Sequence, residues 1–330
     1  MKFFAGKHEI VFLIIYMGKR KAVIRMKDGR LTAGCVPMGY GEMISAVERL
    51  REAYPFLPVG ILGRSVRGRL IPILTLGDED AGDALLYVGA HHGMEWITAA
   101  ILLRFADEVL KARAAGRVLY PAGDFWERRT VYVVPMLNPD GCDLAVHGLL
   151  PDDPLYGELC RMNGGADFFH WQANARGVDL NHNYDAGFLE YKEIEQERSI
   201  VPGRTKYSGS APESEPETAA LASFLRFQPR VRAVLTLHTQ GEEIYYTSGG
   251  VKTPESRRIA GEIARLTGYR LSVPEGTATY GGLTDWCIRS LRLPSFTVEC
   301  GRGENPLPPS DFFGIYVTLR EMLHSLPLLV

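Results

Sequence analysis

The stretch Leu85 to Phe105, LLYVGAHHGMEWITAAILLRF, passes from an aliphatic run through two histidines and an acid into a helical pattern. Leu85 to Ala90 suits a buried strand. Ile97, Ile101, Phe105 and Val109 then recur every fourth residue, one apolar stripe of a helix. A rigid strand end followed by an open helix N-terminus is where α/β proteins place chemistry. The His-His-Gly-Met-Glu at this junction therefore raises a metal-ligand reading, which needs an α/β frame and further ligands elsewhere in the chain.

The frame is legible. Further strand-like runs lie at Leu70 to Leu76, Thr130 to Pro135, Ala233 to Leu237 and Ser295 to Glu299, with a turn, GRSVRGR, at Gly63 to Arg69. A helix is predicted at Met43 to Ala53. Ser214 and Glu217 have capping-box spacing ahead of TAALASFLRF. Thr253 and Pro254 suit the N-cap and first position of a helix carrying Ile259, Ile263 and Leu266, with Gly268 as its stop. Ser310 precedes a last helix with Ile315, Leu319 and Leu323. Strands alternating with helices predict a three-layer αβα sandwich around a mixed, largely parallel sheet. The stretch from Asn138 to Ser214 has little periodicity, and so long a loop inside a compact domain is expected to wall a functional site.

Composition narrows the partner. The 330 residues are 46% hydrophobic and 23% charged with a formal net charge of −2, ordinary for a globular enzyme and without the basic excess that nucleic acid or a membrane surface would call for. Five cysteines with no C-x-x-C pair read as reduced thiols. The apolar run Ile10 to Met17 is eight residues, against roughly 20 for a membrane span. As a signal sequence it is marginal, because GKRK follows directly, and a cytoplasmic location is the expectation. Residues 1–37, with a short hairpin at MKDGRL, read as an appendage, and 38–330 as the catalytic domain. Nothing in the chain declares an oligomeric state.

His92 and Glu95 are three apart, so on a helical first turn they share a face. Zinc accepts an imidazole and a carboxylate, and a catalytic zinc takes three protein ligands and a water. The pair alone is common by chance, and His91 fits no ligand spacing. His238, closing the apolar run AVLTLH, is the candidate third ligand; by itself it reads equally as a satisfied core histidine. His8, His147, His170 and His324 read as surface or structural. Glu299 ends another apolar run, where a carboxylate is costly unless paired, solvated or catalytic; beside a zinc-bound water it would be the general base.

Four segments in order, HHGMEW from His91, NARGVDLNHNYDAGF from Asn174, LHTQGEEIYY from Leu237 and FTVECGRGENPLP from Phe296, resemble the zinc metallocarboxypeptidase family. Within it they are similar to the bacterial γ-D-glutamyl-meso-diaminopimelate peptidases, over roughly Met38 to Leu326. The resemblance implies a carboxypeptidase-like fold and one zinc per chain, held by His92, Glu95 and His238. It implies Glu299 as the catalytic glutamate and Asp179 as the acid that fixes the first zinc histidine. Arg161 in LCRMN matches the family's oxyanion arginine loosely, and from the residues alone is a solvated loop arginine. Asn181 and His182 stand where family carboxypeptidases carry Asn-Arg to clamp a free C-terminal carboxylate, so a peptide continuing past the cleaved bond, or a carboxylate presented differently, fits better. Tyr280 is the candidate for the family's mobile tyrosine, at a shorter offset from Asp285 and Trp286. Thr284 falls at the pocket floor. The implied substrate is a muropeptide. The competing readings are a carboxypeptidase removing single C-terminal residues, an aspartoacylase-type deacylase, and a binding module that would have lost a ligand or the glutamate.

Overall fold

The computed structural model describes residues 36–330 apart from 81, 118–124 and 275, together with the backbone of two earlier strands, β1 (Ile10–Met17) and β2 (Arg20–Lys27). These two pair antiparallel as a sheet of their own. The turn expected within MKDGRL falls past Lys27, outside the described residues, as do His8 and Cys35. The other four cysteines are free thiols.

The main sheet is built from β3 (Val59–Arg64), β4 (Leu70–Gly77), β5 (Ala84–Val88), β6 (Thr130–Val134), β7 (Val231–His238), β8 (Glu243–Tyr245), β9 (Arg270–Ser272) and β10 (Ser295–Glu299). Its order is β3-β4-β6-β5-β7-β10-β8-β9. The central block β6-β5-β7-β10 is parallel, while β4 and β8 flank it antiparallel. The helices are α1 (Tyr40–Ala53), α2 (Ile97–Ala114), α3 (Pro139–His147), α4 (Tyr156–Asn163) and α5 (Phe188–Glu197). They continue with α6 (Pro216–Phe227), α7 (Ser256–Thr267), α8 (Leu283–Arg289) and α9 (Phe312–Leu329).

Alternation along the strands makes the layers. Leu85 and Tyr87 face the core shared with α1, α2, α7 and α9, whereas Leu86 and Val88 face the one shared with α6 and α8. Ile101 and Phe105 of the predicted stripe are fully buried. Each such side chain stabilises the fold by about 1.5–3 kcal/mol relative to exposure. The sheet is thus covered on both faces, the three-layer sandwich expected of near-continuous apolar strands. Because β6 and β7 lie on opposite sides of β5, the chain reverses its winding beside β5, which opens a crevice at the carboxyl ends of these strands.

Helix starts correct the sequence reading in two places. The capping box at Ser214 does not form: Glu215 is the N-cap of α6 and Pro216 its first residue, since a proline has no N–H to leave orphaned there. Ser214 donates instead to Glu215, and Glu217 is drawn off to accept from Val66 N (3.0 Å) and Asn174 Nδ2. Likewise α7 begins at Ser256 rather than after Thr253, whose hydroxyl bonds the Ser256 side chain; Gly268, at φ +74°, ends the helix as read. The stretch from Asn138 to Ser214 is less irregular than expected. It carries α3, α4 and α5, with Asn138 capping α3 through Gly141 N (2.9 Å), and Leu144, Leu159, Phe168 and Trp171 give it a small core of its own.

Candidate metal centre

Strand β5 delivers the chain to the crevice, where Ala90 turns it through φ +50°, a left-handed conformation that costs a non-glycine residue about 1–2 kcal/mol. The bend is held on both sides: Ala90 N donates to Thr98 Oγ1 (2.8 Å) and its carbonyl accepts from Asn138 N (3.0 Å). His92 then caps a single 3₁₀ turn, Gly93–Glu95, rather than sitting in an α-helical first turn. The tighter turn still stacks residues three apart on one face. Gly93 is required there, because a Cβ would lie 2.3 Å from the Gly141 carbonyl oxygen and 2.8 Å from that of Trp171.

The structure brings His92, Glu95 and His238 together, with one ligand atom from each lying within 4.8 Å of the others. His92 Nδ1 is 2.8 Å from Glu95 Oε1, and His238 Nδ1 is 3.0 Å from Glu95 Oε2. Burial works against charge on Glu95, but the two histidines outweigh it and hold its carboxyl down at about 2. On the far side of the ring, His92 Nε2 donates to Asp179 Oδ1 (3.1 Å). Burial opposes a proton on His92, yet Glu95 and Asp179 overcome it and raise its basicity well above the ordinary range. A carboxylate flanked by two imidazole nitrogens must be matched by positive charge, carried by protons or by a metal dication. With His92 Nε2 already committed to Asp179, both Nδ1 atoms and the carboxylate form a zinc-type donor set.

Asp179 is buried, and burial raises its carboxyl, but His92 and the backbone N–H of Lys206 (3.0 Å) more than compensate and hold it well below the usual carboxylate range. His91, between Tyr184 Oη (3.2 Å) and Thr236 Oγ1 (3.3 Å), is fully buried and kept neutral by that burial and by the neighbouring histidines. It supports the site as packing.

Glu299 ends β10 opposite His238 in the parallel register with β7. Burial first, then the nearby Glu95, push its carboxyl up to about 8, against the pull of His92. A carboxyl that sheds its proton only above neutrality needs a neighbouring cation to act as a base, and the adjoining donor set offers a place for one. Glu299 lines a cleft of about 230 Å³ with His92, Asp179, Asn181, His182 and Thr284. Asn181 Oδ1 accepts from Leu283 N (3.1 Å), and buried Thr284 bonds Thr297 Oγ1 (2.8 Å). His182 Nδ1 donates to the Tyr280 carbonyl (2.8 Å), and its ring stacks flat on Tyr191 at 4.3 Å.

Two expected site residues are placed elsewhere. Arg161 is an exposed residue of α4 outside the cleft lining, because the satellite core turns the other face of this helix inward through Leu159. The Tyr280 side chain packs against Gly187 and near Tyr191, and it is the backbone of this residue that serves the site. The cleft also recruits residues the sequence reading passed over: Gln172, Lys206, Tyr245, Thr247, Asp285 and Thr297. Thr297 was legible, two residues before Glu299 and so on the same strand face. Gln172 and Lys206 stand in polar loops with no periodicity to mark them.

The zinc carboxypeptidase family profile matches residues 43–316. The chain belongs to the zinc carboxypeptidase family. As a member it is a zinc metallopeptidase. A γ-D-glutamyl-L-diamino acid endopeptidase from Lysinibacillus sphaericus is 35% identical to it over 291 residues, which span 87% of this chain and 71% of that one. Human carboxypeptidase B is 29% identical over 254 residues, 72% of this chain and 56% of its own. Among solved structures, bovine thrombin-activatable fibrinolysis inhibitor bound to tick carboxypeptidase inhibitor superposes with a TM-score of 0.66 at 20% identity, covering 88% of this chain and 96% of that one, which establishes the shared fold. No described helix of this family member is long and apolar enough to cross a membrane.

Proposed function

We propose that this zinc peptidase hydrolyses the amide between γ-D-glutamate and a diamino acid in cell-wall peptides. The observation that carries the reading is the 35% identity to a γ-D-glutamyl-L-diamino acid endopeptidase over 87% of this chain. His182 supports it. The position after Asn181 offers an imidazole already committed to the Tyr280 carbonyl and the Tyr191 face, in place of a permanently charged guanidinium that would grip a terminal carboxylate in two places.

One zinc per chain would be held by His92, Glu95 and His238, supplying a Lewis acid that acidifies water and polarises the scissile carbonyl. The chain's own groups do the rest. Asp179 keeps the His92 proton on Nε2 and its Nδ1 free for the metal. Glu299 accepts the proton of the attacking water and delivers it to the leaving nitrogen, and Asn181, His182 and Thr284 position the segment that departs. Human carboxypeptidase B, at 29% identity, supports a second reading, removal of a single C-terminal residue. The zinc-loaded protein incubated with L-Ala-γ-D-Glu-meso-diaminopimelate peptides and with hippuryl-amino acids, with products identified by mass, separates the two. Cleavage confined to the hippuryl substrates would overturn the proposal.

A further inference from the structure

Lys206 sits at the rim of the cleft in a conformation that lysine ordinarily avoids. Its φ is +70°, the left-handed region that favours glycine, and the residue is pinned there from both sides. Its N–H donates to Asp179 Oδ2 (3.0 Å), the same carboxylate that orients His92, and its carbonyl accepts from Tyr191 Oη (2.7 Å). Strain of this kind, held by surrounding bonds, concentrates at functional sites. A glycine would satisfy the same backbone bonds without strain, so the fold gives no reason for the side chain. That side chain is exposed, and among the described residues no hydrogen bond or ion pair engages its ammonium. Lys206 is also the one lysine or arginine lining the described cleft, whose carboxyl-bearing residues are Asp179, Asp285 and Glu299.

The γ-glutamyl bond supplies the complement. An ordinary peptide carries no charge on the backbone of the residue donating the scissile carbonyl. A γ-linked glutamate carries a free α-carboxylate there, four bonds from the carbonyl carbon, a reach of about 5 Å in extended chain. With the leaving segment positioned by Asn181, His182 and Thr284 as proposed above, exposed Lys206 is the cleft cation left to meet the acyl residue. We infer that Lys206 binds the α-carboxylate of the γ-linked acidic residue on the acyl side of the scissile bond, and thereby selects γ-glutamyl over uncharged acyl groups. This rests on the γ-glutamyl reading above. An exposed lysine–carboxylate pair is screened by water, so its contribution is modest and declines with salt.

The test compares two peptides, L-Ala-γ-D-Glu-meso-diaminopimelate and its counterpart in which the glutamate α-carboxylate is an amide, with the zinc-loaded full chain at low and high ionic strength. The wild type is expected to prefer the free carboxylate by about twofold to fivefold in kcat/KM at low salt, and by less at high salt. In Lys206→Met the ratio falls to about one. Lys206→Gly, which relieves the backbone strain and so guards against misfolding as the explanation, gives the same ratio, while Lys206→Arg retains the preference. Equal cleavage of both peptides by the wild type, or an unchanged ratio in Lys206→Gly, overturns the role of Lys206 and leaves the γ-glutamyl reading intact. A wild type that cuts neither peptide overturns both.

Discussion

Replacing Asp179 by asparagine changes one atom and should disable the metal centre. The carboxylate accepts four bonds: Oδ1 from His92 Nε2 (3.1 Å) and Asn181 N (3.2 Å), Oδ2 from Lys206 N (3.0 Å) and Thr205 Oγ1 (3.3 Å). An asparagine keeps one acceptor oxygen. Turned toward His92 and Asn181, its amide nitrogen meets the Lys206 N–H donor to donor; turned the other way, it meets two donors. The threonine hydroxyl can rotate to accept, but a backbone N–H cannot. At least one buried donor is left unpaired, which costs about 1–3 kcal/mol. The negative charge that makes His92 a stronger base is lost as well, and disturbing such a partner of a metal histidine typically lowers affinity about 10–100-fold. Zinc affinity measured by competition with a chromophoric chelator should fall by that factor, and the metal-free protein should melt at a lower temperature. The pH dependence gives a separate signature. Folding holds this carboxyl well below its ordinary value of 3.8, so its contribution is fully present above that pH and is lost only as the pH falls further. The asparagine variant lacks this acid-side decline. An unchanged zinc affinity together with an unchanged melting temperature would refute the argument that Asp179 holds the His92 ring.

Other perturbations reach different parts of the site. Glu299→Gln should lower turnover about 10²–10⁴-fold with zinc content unchanged, as loss of a general base requires; near-normal turnover would mean that the proton goes elsewhere. His238→Ala should bind much less zinc in metal analysis after dialysis, and full retention would remove His238 from the ligand set. His182→Arg should raise kcat/KM for a tripeptide stem relative to a tetrapeptide stem by roughly tenfold, through a bidentate grip on a terminal carboxylate; an equal ratio in both enzymes would show that His182 does not face the leaving segment. Burial pushes the Glu217 carboxyl up to about 7 from an ordinary 4.5, so the folded chain keeps a proton that the unfolded chain has released, and stability should fall as pH rises between those values. Denaturant melts of Glu217→Gln across that window should show a flatter profile, and a slope equal to that of the wild type would contradict the assignment.

The strands β5, β6, β7 and β10 were readable because burial on both faces demands continuous apolar runs, and the ends of β5 and β7 that lead to the candidate ligands came with them. The three-residue strands β8 and β9 were not, being too short for any period to register. Helix α3 was announced by Asn138-Pro139, an N-cap and first-turn pair, but the polar surroundings hid it. Within the site, residues tied to a strand end, such as His92 and Glu299, carry a local signal, whereas Asp179 was legible only through the resemblance of its segment to the family. Arg161 illustrates the opposite case: an arginine in a segment of the right length still needs its helix rotated toward the cleft, and that rotation is decided by Leu159 and Trp171, far from any motif.

Glu299 and His238 are direct partners across two parallel strands, each the last residue of its strand. Their separation is therefore fixed by the hydrogen-bond spacing of a sheet buried on both sides, while Gln172 and Lys206 line the cleft from loops. For protein engineering this is a division of labour. A library randomised over those loops would explore new peptides against an unchanging distance between the proposed proton carrier and the proposed metal ligand, so that altered selectivity should be reachable in few steps, whereas a single slip in the pairing of β7 with β10 should abolish turnover on every substrate alike.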